Sequence, residues 1–211
     1  MNELYEIFIS YQQQDTEMDD KKERLTSAAH SLFLKNGYKN TNIAQIAKKA
    51  GVAVGSFYNY YASKEDIFLA VYIEENETMR SHLIQQIDWK GDVEQIIDEL
   101  FSYSFKNIMN NKILIEWNNG AVSQMLHSYY YSKTGIKNNS FHHFLQKIFT
   151  KWMRERSLTS DAIEKILKVF DFIYYIDCHV TGDEFTGYGE ALQTFVKYFV
   201  KGILSEVSSN T

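Results

Sequence analysis

The chain has 211 residues, 45% of them hydrophobic, which allows a packed core and argues against wholesale disorder. Its single cysteine, Cys178, excludes an internal disulfide framework and fits a reducing compartment. The net charge of −5 is unevenly spread. Residues 1–20 hold six acidic and no basic side chains, residues 21–64 hold eight basic ones against Glu23 alone, and residues 65–211 are acidic again. A compact basic segment inside an acidic chain is a local footprint for a polyanion. No apolar run approaches the ~20 residues that a membrane-spanning helix needs. The first residues carry Glu3 and Glu6 and no Lys or Arg, unlike a secretory leader. The expectation is a cytoplasmic protein with no membrane partner.

Proline is absent, so nothing covalent forces a helix to stop, and long helices are expected. Over 20–36, Leu25, Ala28, Ala29, Leu32 and Phe33 recur at helical spacing, and Gly37 follows where a left-handed residue usually ends a helix. Asn42 with Gln45 forms a capping-box pattern that opens a second helix, with Ile43, Ile46, Ala47 and Ala50 inward and Gly51 at its end. After a turn at Val52 and Ala53, residues 56–61 supply a third helix of about two turns. Ser63 with Asp66 opens a long helix running to about residue 87. Three short helices with Gly51 at the middle corner make a helix-turn-helix plan.

Beyond Trp89 the apolar periodicities lengthen. Asp92 begins a helix carrying Val93, Ile96, Ile97, Leu100, Phe101 and Phe105. Short helices are expected around 112–117 and 121–131, and a longer one over 140–156 with Phe141, Phe144, Leu145, Ile148 and Trp152 in register. The segment 161–179 is apolar on two sides, so it must be covered on two sides. After a loop with Gly182, Gly187 and Gly189, the stripe Leu192, Phe195, Val196, Phe199 and Ile203 closes the chain. One side of these last two helices is expected to pack inward and the other on a second copy, through Val169, Phe172, Ile176, Phe195, Phe199 and Ile203.

The segment AAHSLFLKNGYKNTNIAQIAKKAGVAVGSFYNYYASKEDIF, within 25–72, resembles the DNA-binding region of the TetR (tetracycline-repressor-like) family of bacterial regulators. About fifteen positions agree, in order and spacing, over roughly the first third of the chain. The remainder agrees only in length and helical plan. The resemblance implies an all-α fold, with an N-terminal three-helix helix-turn-helix domain followed by a larger helical ligand-binding and dimerisation domain. The corresponding boundaries are an acidic extension over 1–20, a DNA-binding domain over 21–67 and a sensing and dimerisation domain over 68–211. It also implies that base contacts come chiefly from Val54, Ser56 and Asn59. Physically, Gly55 admits close approach of the backbone to the duplex, and Asn59 suits an adenine edge and Val54 a thymine methyl. Tyr58 and Tyr60 reach phosphates, as do Lys48 and Lys64, while Thr41 and Asn42 would hold a neighbouring phosphate at the start of the second helix. Ala53 departs from the family, whose members commonly carry a capping Ser or Thr there, and its loss costs ~1 kcal/mol.

Nothing points to an enzyme or a cofactor. His142 and His143 lie about 100° apart on a helix and make a poor metal pair, and no phosphate loop, nucleophile elbow or Cys-x-x-Cys occurs. Aromatics are dense over 103–175, and those with polar tips suit a pocket for a flat or cationic organic molecule. Trp117, Met125, Tyr129, Trp152 and Tyr174 are the candidate lining. The expected partners are therefore double-stranded DNA bearing a palindromic operator, a small organic effector and a second copy of the chain. Two other readings stay open on sequence alone: a helical module whose basic segment binds a protein, and a ligand carrier whose first 64 residues are structural.

Overall fold

The computed structural model describes residues 20–119, 122–180 and 185–206. The acidic extension, apart from Asp20, and the loop residue Gly182 lie outside the described residues. Within them every regular element is helical, and no strand occurs. The chain divides into two compact units. One comprises residues up to Glu75 together with Asn111–Leu114, and the other Asn76–Asn110 and the residues from Ile115 onward.

In the first unit, α1 spans 20–36, α2 Ile43–Ala50 and α3 Val54–Phe57, and α4 runs over Lys64–Gln86, its residues to Glu75 belonging here. The stripe read from α1 is inward: Leu25, Ala29 and Phe33 are fully buried, as are Ile46 and Ala47 of α2 and Ile67, Phe68 and Val71 of α4. Phe33 meets Phe68 edge-on at 5.0 Å and Tyr38 meets Phe68 at 4.9 Å. Burial of this kind stabilises by roughly 1.5–3 kcal/mol per large side chain. The capping box on α2 is complete. Gln45 N–H donates to Asn42 Oδ1 at 2.9 Å, and Asn42 N–H donates to Gln45 Oε1 at 2.9 Å. Gly51, at φ 68°, closes α2 by donating to the carbonyls of Ala47 and Lys48. At the start of α4 the pattern is looser. Asp66 N–H donates to Ser63 Oγ at 3.2 Å, but the Asp66 carboxylate accepts from Ala62 N–H at 3.0 Å, one residue further back than a standard box.

The second unit contains α5 (Val93–Asn110), a 3-10 turn at Leu114–Asn118 shared across the division, α6 (Ser123–Tyr131), α7 (Lys133–Asn138), α8 (Ser140–Glu155), α9 (Ser160–Asp177) and α10 (Tyr188–Glu206). Its largest apolar cluster gathers Ile97, Phe149, Met153, Ile163 and Val200, flanked by Phe170, Phe199 and Ile203. A second cluster holds Leu83, Ile87 and Ile96 beneath Trp89, Phe141 and Trp152. Polar groups tie the helices between these clusters. Asn76 Nδ2 donates to Tyr130 Oη at 2.7 Å, Arg80 to Asn139 Oδ1 at 3.0 Å, and Asn139 Nδ2 to Tyr174 Oη at 3.0 Å. Tyr174 in turn donates to the Tyr130 carbonyl at 2.8 Å.

Proline-free sequence did not produce uniformly long helices. Side chains set where new helices start: Ser132 caps the N-terminus of α7 through Gly135 N–H, Asn139 that of α8 through His142 N–H, and Thr159 that of α9 through Ala162 N–H. Among the described glycines, Gly135 at the α6–α7 corner leaves the least room for a side chain. A Cβ on Gly135 would stand 2.0 Å from the Tyr129 carbonyl oxygen and 2.9 Å from Tyr130 Cα, both backbone atoms. Gly135→Ala is therefore expected to destabilise the protein by more than about 2 kcal/mol. Chemical denaturation monitored by circular dichroism will measure this, and a change below half that value would show that the corner relaxes freely.

Candidate nucleic-acid interface

The third helix is shorter than the sequence suggests and begins earlier. Its regular part is Val54–Phe57, one turn, continued by hydrogen-bonded turns in which Asn59 N–H donates to the Ser56 carbonyl and Tyr60 N–H to that of Phe57. Ala53 stands at its N-cap and supplies no side-chain bond. A helix this short cannot hold itself, because nucleation costs more than one turn returns. Its orientation is imposed by Phe57 and Tyr61, which are buried while the residues around them are not. Phe57 lies 6.0 Å from Tyr61, and the Tyr61 hydroxyl bonds Thr26 Oγ1 at 2.7 Å, which anchors the turn to α1.

With Phe57 inward, the residues around it are presented to solvent. Val54 is 46% exposed and Tyr58 57%, values large enough to need a reason in an apolar and an aromatic residue. Gly55 and Asn59 are exposed too, Ser56 and Tyr60 are half-buried, and Lys48 and Lys49 are exposed in the last turn of α2. Gly55 is informative because the chain itself does not require it. Its φ is not among the positive ones, and nothing lies within 4 Å of where a Cβ would stand. Room is left on the outside of the helix.

Two residues read as phosphate contacts turn inward. Thr41 is only 2% exposed, and its hydroxyl donates to the Gly37 carbonyl at 2.9 Å. It ties down the loop before α2 and does not hold a phosphate. Lys64 is half-buried, its ammonium donating to the carbonyls of Tyr38 and Thr41, both at 3.1 Å, and lying 3.9 Å from the Tyr38 ring centroid. Two of its three N–H groups are thus spent on fastening the 38–41 loop to α4. Sequence reasoning missed Tyr38, the hub of this arrangement. Its hydroxyl donates to Glu65, which with the neighbouring Ser63 and Lys64 holds the Glu65 carboxyl below the usual carboxylate range. An aromatic immediately after a helix-ending glycine was the available signal.

In the second unit, the five proposed lining residues do not share one cavity wall. Trp117 packs on His127 at 4.1 Å and edge-on to Tyr130 at 5.5 Å, and Tyr129 also meets Tyr130. Tyr174 spends its hydroxyl on Tyr130 and Asn139, and Met125 is half-buried on α6. Trp152 instead packs on both apolar clusters and borders a cleft of about 270 Å³. On α9 and α10, Val169, Phe172 and Phe195 are exposed at 36%, 56% and 44%, Ile176 is half-buried, and Phe199 and Ile203 pack on the main cluster. Tyr198, at 69%, was not anticipated.

Comparison with known proteins matches residues 25–71 to the model of the bacterial regulatory proteins of the tetR family. The chain is 30% identical over 87 residues to the HTH-type transcriptional regulator HbdR of Aromatoleum sp. (strain CIB), covering 41% of this chain and 38% of that protein. It is 31% identical over 83 residues to the fatty acid metabolism regulator protein of Bacillus subtilis, covering 37% and 43%. The match thus spans about two-fifths of these curated relatives. Among solved structures, Thermus thermophilus FadR, a transcriptional repressor in complex with lauroyl-CoA, superposes over 87% of this chain and 93% of that one, with a TM-score of 0.53 at 18% identity. That likeness is one of fold.

Two outcomes follow from the Tyr38–Lys64–Glu65 arrangement. Lys64→Ala, which removes two hydrogen bonds and a cation over a ring, is expected to lower stability by about 1–3 kcal/mol in thermal melts. Glu65 titrates low when folded, so its contribution is present above the ordinary carboxylate range and is lost as pH falls through the lowered value. In Tyr38→Phe the Glu65 carboxyl resonance should titrate at higher pH. An unchanged NMR titration would place the cause elsewhere.

Proposed function

We propose that this chain, whose residues 25–71 match the tetR family of bacterial regulatory proteins, is a sequence-specific DNA-binding transcription regulator: a dimeric repressor released by a small organic effector. The observation that carries the reading is α3, one turn long, with Phe57 buried and Val54, Gly55, Tyr58 and Asn59 offered outward beside Lys48 and Lys49. Val54 and Asn59 are base-reading groups in this reading, Ser56, Tyr58 and Tyr60 position the backbone, and Asn42 adds a contact at the start of α2. Gly55 keeps the duplex within reach. Lys64 acts mainly through the loop that it fastens.

Residues 21–67 are the proposed DNA-binding domain and 68–211 the sensing and dimerisation domain. Val169, Phe172 and Phe195 would leave water when α9 and α10 meet their counterparts in a second copy, with Ile176, Phe199 and Ile203 backing them. Two-fold pairing demands a palindromic operator whose half-sites lie about 34–36 Å apart. An effector held by the second unit lowers DNA affinity by as much as it prefers the conformation that does not fit that spacing. The reading places the protein in the cytoplasm, with the DNA it regulates. No described helix is long and apolar enough to cross a membrane.

Selection from a random duplex pool with purified protein should enrich a palindrome, and its affinity should fall steeply with salt. Gly55→Ala separates folding from recognition. Because nothing in the chain occupies the Cβ position, thermal stability should stay level or rise by up to about 1 kcal/mol, while operator affinity falls at least tenfold in fluorescence anisotropy. Asn59→Ala should cost about 1–3 kcal/mol and relax one base position. Failure to enrich any sequence, with binding indifferent to salt, would sink the proposal.

A further inference from the structure

The cleft of about 270 Å³ beside Trp152 lies wholly within the second unit, between the α4–α5 connection and the end of α8. Its walls combine aromatic and cationic side chains. Trp89 and Trp152 supply flat apolar surface, while Lys90, Lys151 and Arg156 supply cations against two carboxylates, Glu155 in the lining and Asp88, which accepts from the Lys90 backbone N–H at 3.1 Å beside Gly91. The aromatic walls are fixed. Trp89 spends its indole N–H on the Ile84 carbonyl at 2.9 Å and stands edge-on to Phe144 at 4.9 Å, so it turns only ring surface toward a guest. Trp152 is held against both apolar clusters, and its carbonyl accepts from Arg156 Nη1 at 3.2 Å, which leaves the rest of that guanidinium fork for a partner. Glu155 pairs with Lys151 at 3.7 Å and Asp88 stands beside Lys90, which leaves one positive charge in surplus.

We propose that this cleft binds a small planar organic anion, an aromatic carboxylate of one or two rings, stacked on Trp89 or Trp152 with its charge met by Arg156 and Lys90. The size follows from the volume, which sits at the lower edge of the roughly 300–1,000 Å³ of typical ligand pockets. The sign follows from the cation surplus, since a second ammonium would be repelled where a carboxylate is paired. Arg156 is the specific partner because a planar fork matches a carboxylate in two bonds. The binding itself does not depend on DNA. Only its use as an effector site rests on the regulatory reading above.

Isothermal titration calorimetry of the full-length protein tests this with three probes: 2-naphthoate, the flat cation 2-naphthylmethylammonium and the non-planar anion cyclohexanecarboxylate. Naphthoate should bind once per chain, and the other two at least about tenfold more weakly. Lys90→Gln, which alters an exposed side chain, and Arg156→Gln should each weaken naphthoate by about tenfold. Equal binding of the cationic probe, or no heat with any probe at millimolar concentration, overturns the proposal. Naphthoate binding that ignores both substitutions also overturns it, by moving the anion elsewhere on the protein, and leaves the effector reading standing. Enrichment of an operator is scored separately, so failure of the cleft and failure of the DNA reading give different results.

Discussion

Burial of Phe57 is the constraint on which the candidate interface depends. A single helical turn has no cooperative stability of its own, so Val54–Phe57 keeps its shape only because one of its four side chains is driven fully out of water. Once Phe57 faces inward, the 100° step of the helix turns Gly55 to the far side and Tyr58 well away from it, while Val54 stays exposed at the start of the turn. Tyr61 adds the second anchor by reaching Thr26, so that α3 is pinned at its end and cannot roll. Recognition and folding are thereby divided among neighbours in sequence. Phe57 and Tyr61 are spent on the fold, and the residues between and before them are free for a partner.

The same division explains why cations that look equivalent in sequence are not. Lys48 and Lys49 sit in the last turn of α2, where they also favour the helix dipole, and they remain in water. Lys64 opens α4 near the N-terminal end of the helix, where a cation is electrostatically unwelcome. It is retained because it turns away to the carbonyls of Tyr38 and Thr41 and the face of the Tyr38 ring. A count of positive charge over 21–64 therefore overstates what a phosphate would meet. Local helix geometry decides which cations stay available.

Legibility in the sequence followed the range of the interactions involved. The α1 stripe, the Asn42–Gln45 capping box and the terminating role of Gly51 depend on residues a few positions apart, and all were readable. The long helices α5, α8, α9 and α10 were readable from their periodicity, and α4 from the Ser63–Asp66 pattern at its start. Burial of Thr41 and the turning of Lys64 depend on partners brought near by the fold, and no spacing announces them. In the second unit the difficulty was greater. Asn76, Arg80 and Asn139 fall in no motif or apolar stripe, yet they form the chain of bonds that reaches Tyr130 and Tyr174. Tyr174 was read as a pocket wall because an aromatic with a polar tip looks the same whether its hydroxyl meets a ligand or a neighbouring helix.

That polar chain also accounts for how many short helices coexist without proline. Two of the caps in the second unit use a side chain that does a second job. Asn139 Oδ1 accepts from His142 N–H to start α8 and from Arg80 of α4, while its amide nitrogen donates to Tyr174 of α9. Ser132 Oγ accepts from Gly135 N–H to start α7 and donates to the Tyr129 carbonyl at the end of α6. A proline would end a helix by removing a donor, but it would bring no acceptor or donor to share. These capping side chains start one helix and join it to another in one step. The corner at Gly135 can therefore be as tight as backbone contact permits, because hydrogen bonds on both sides already fix the path of the chain.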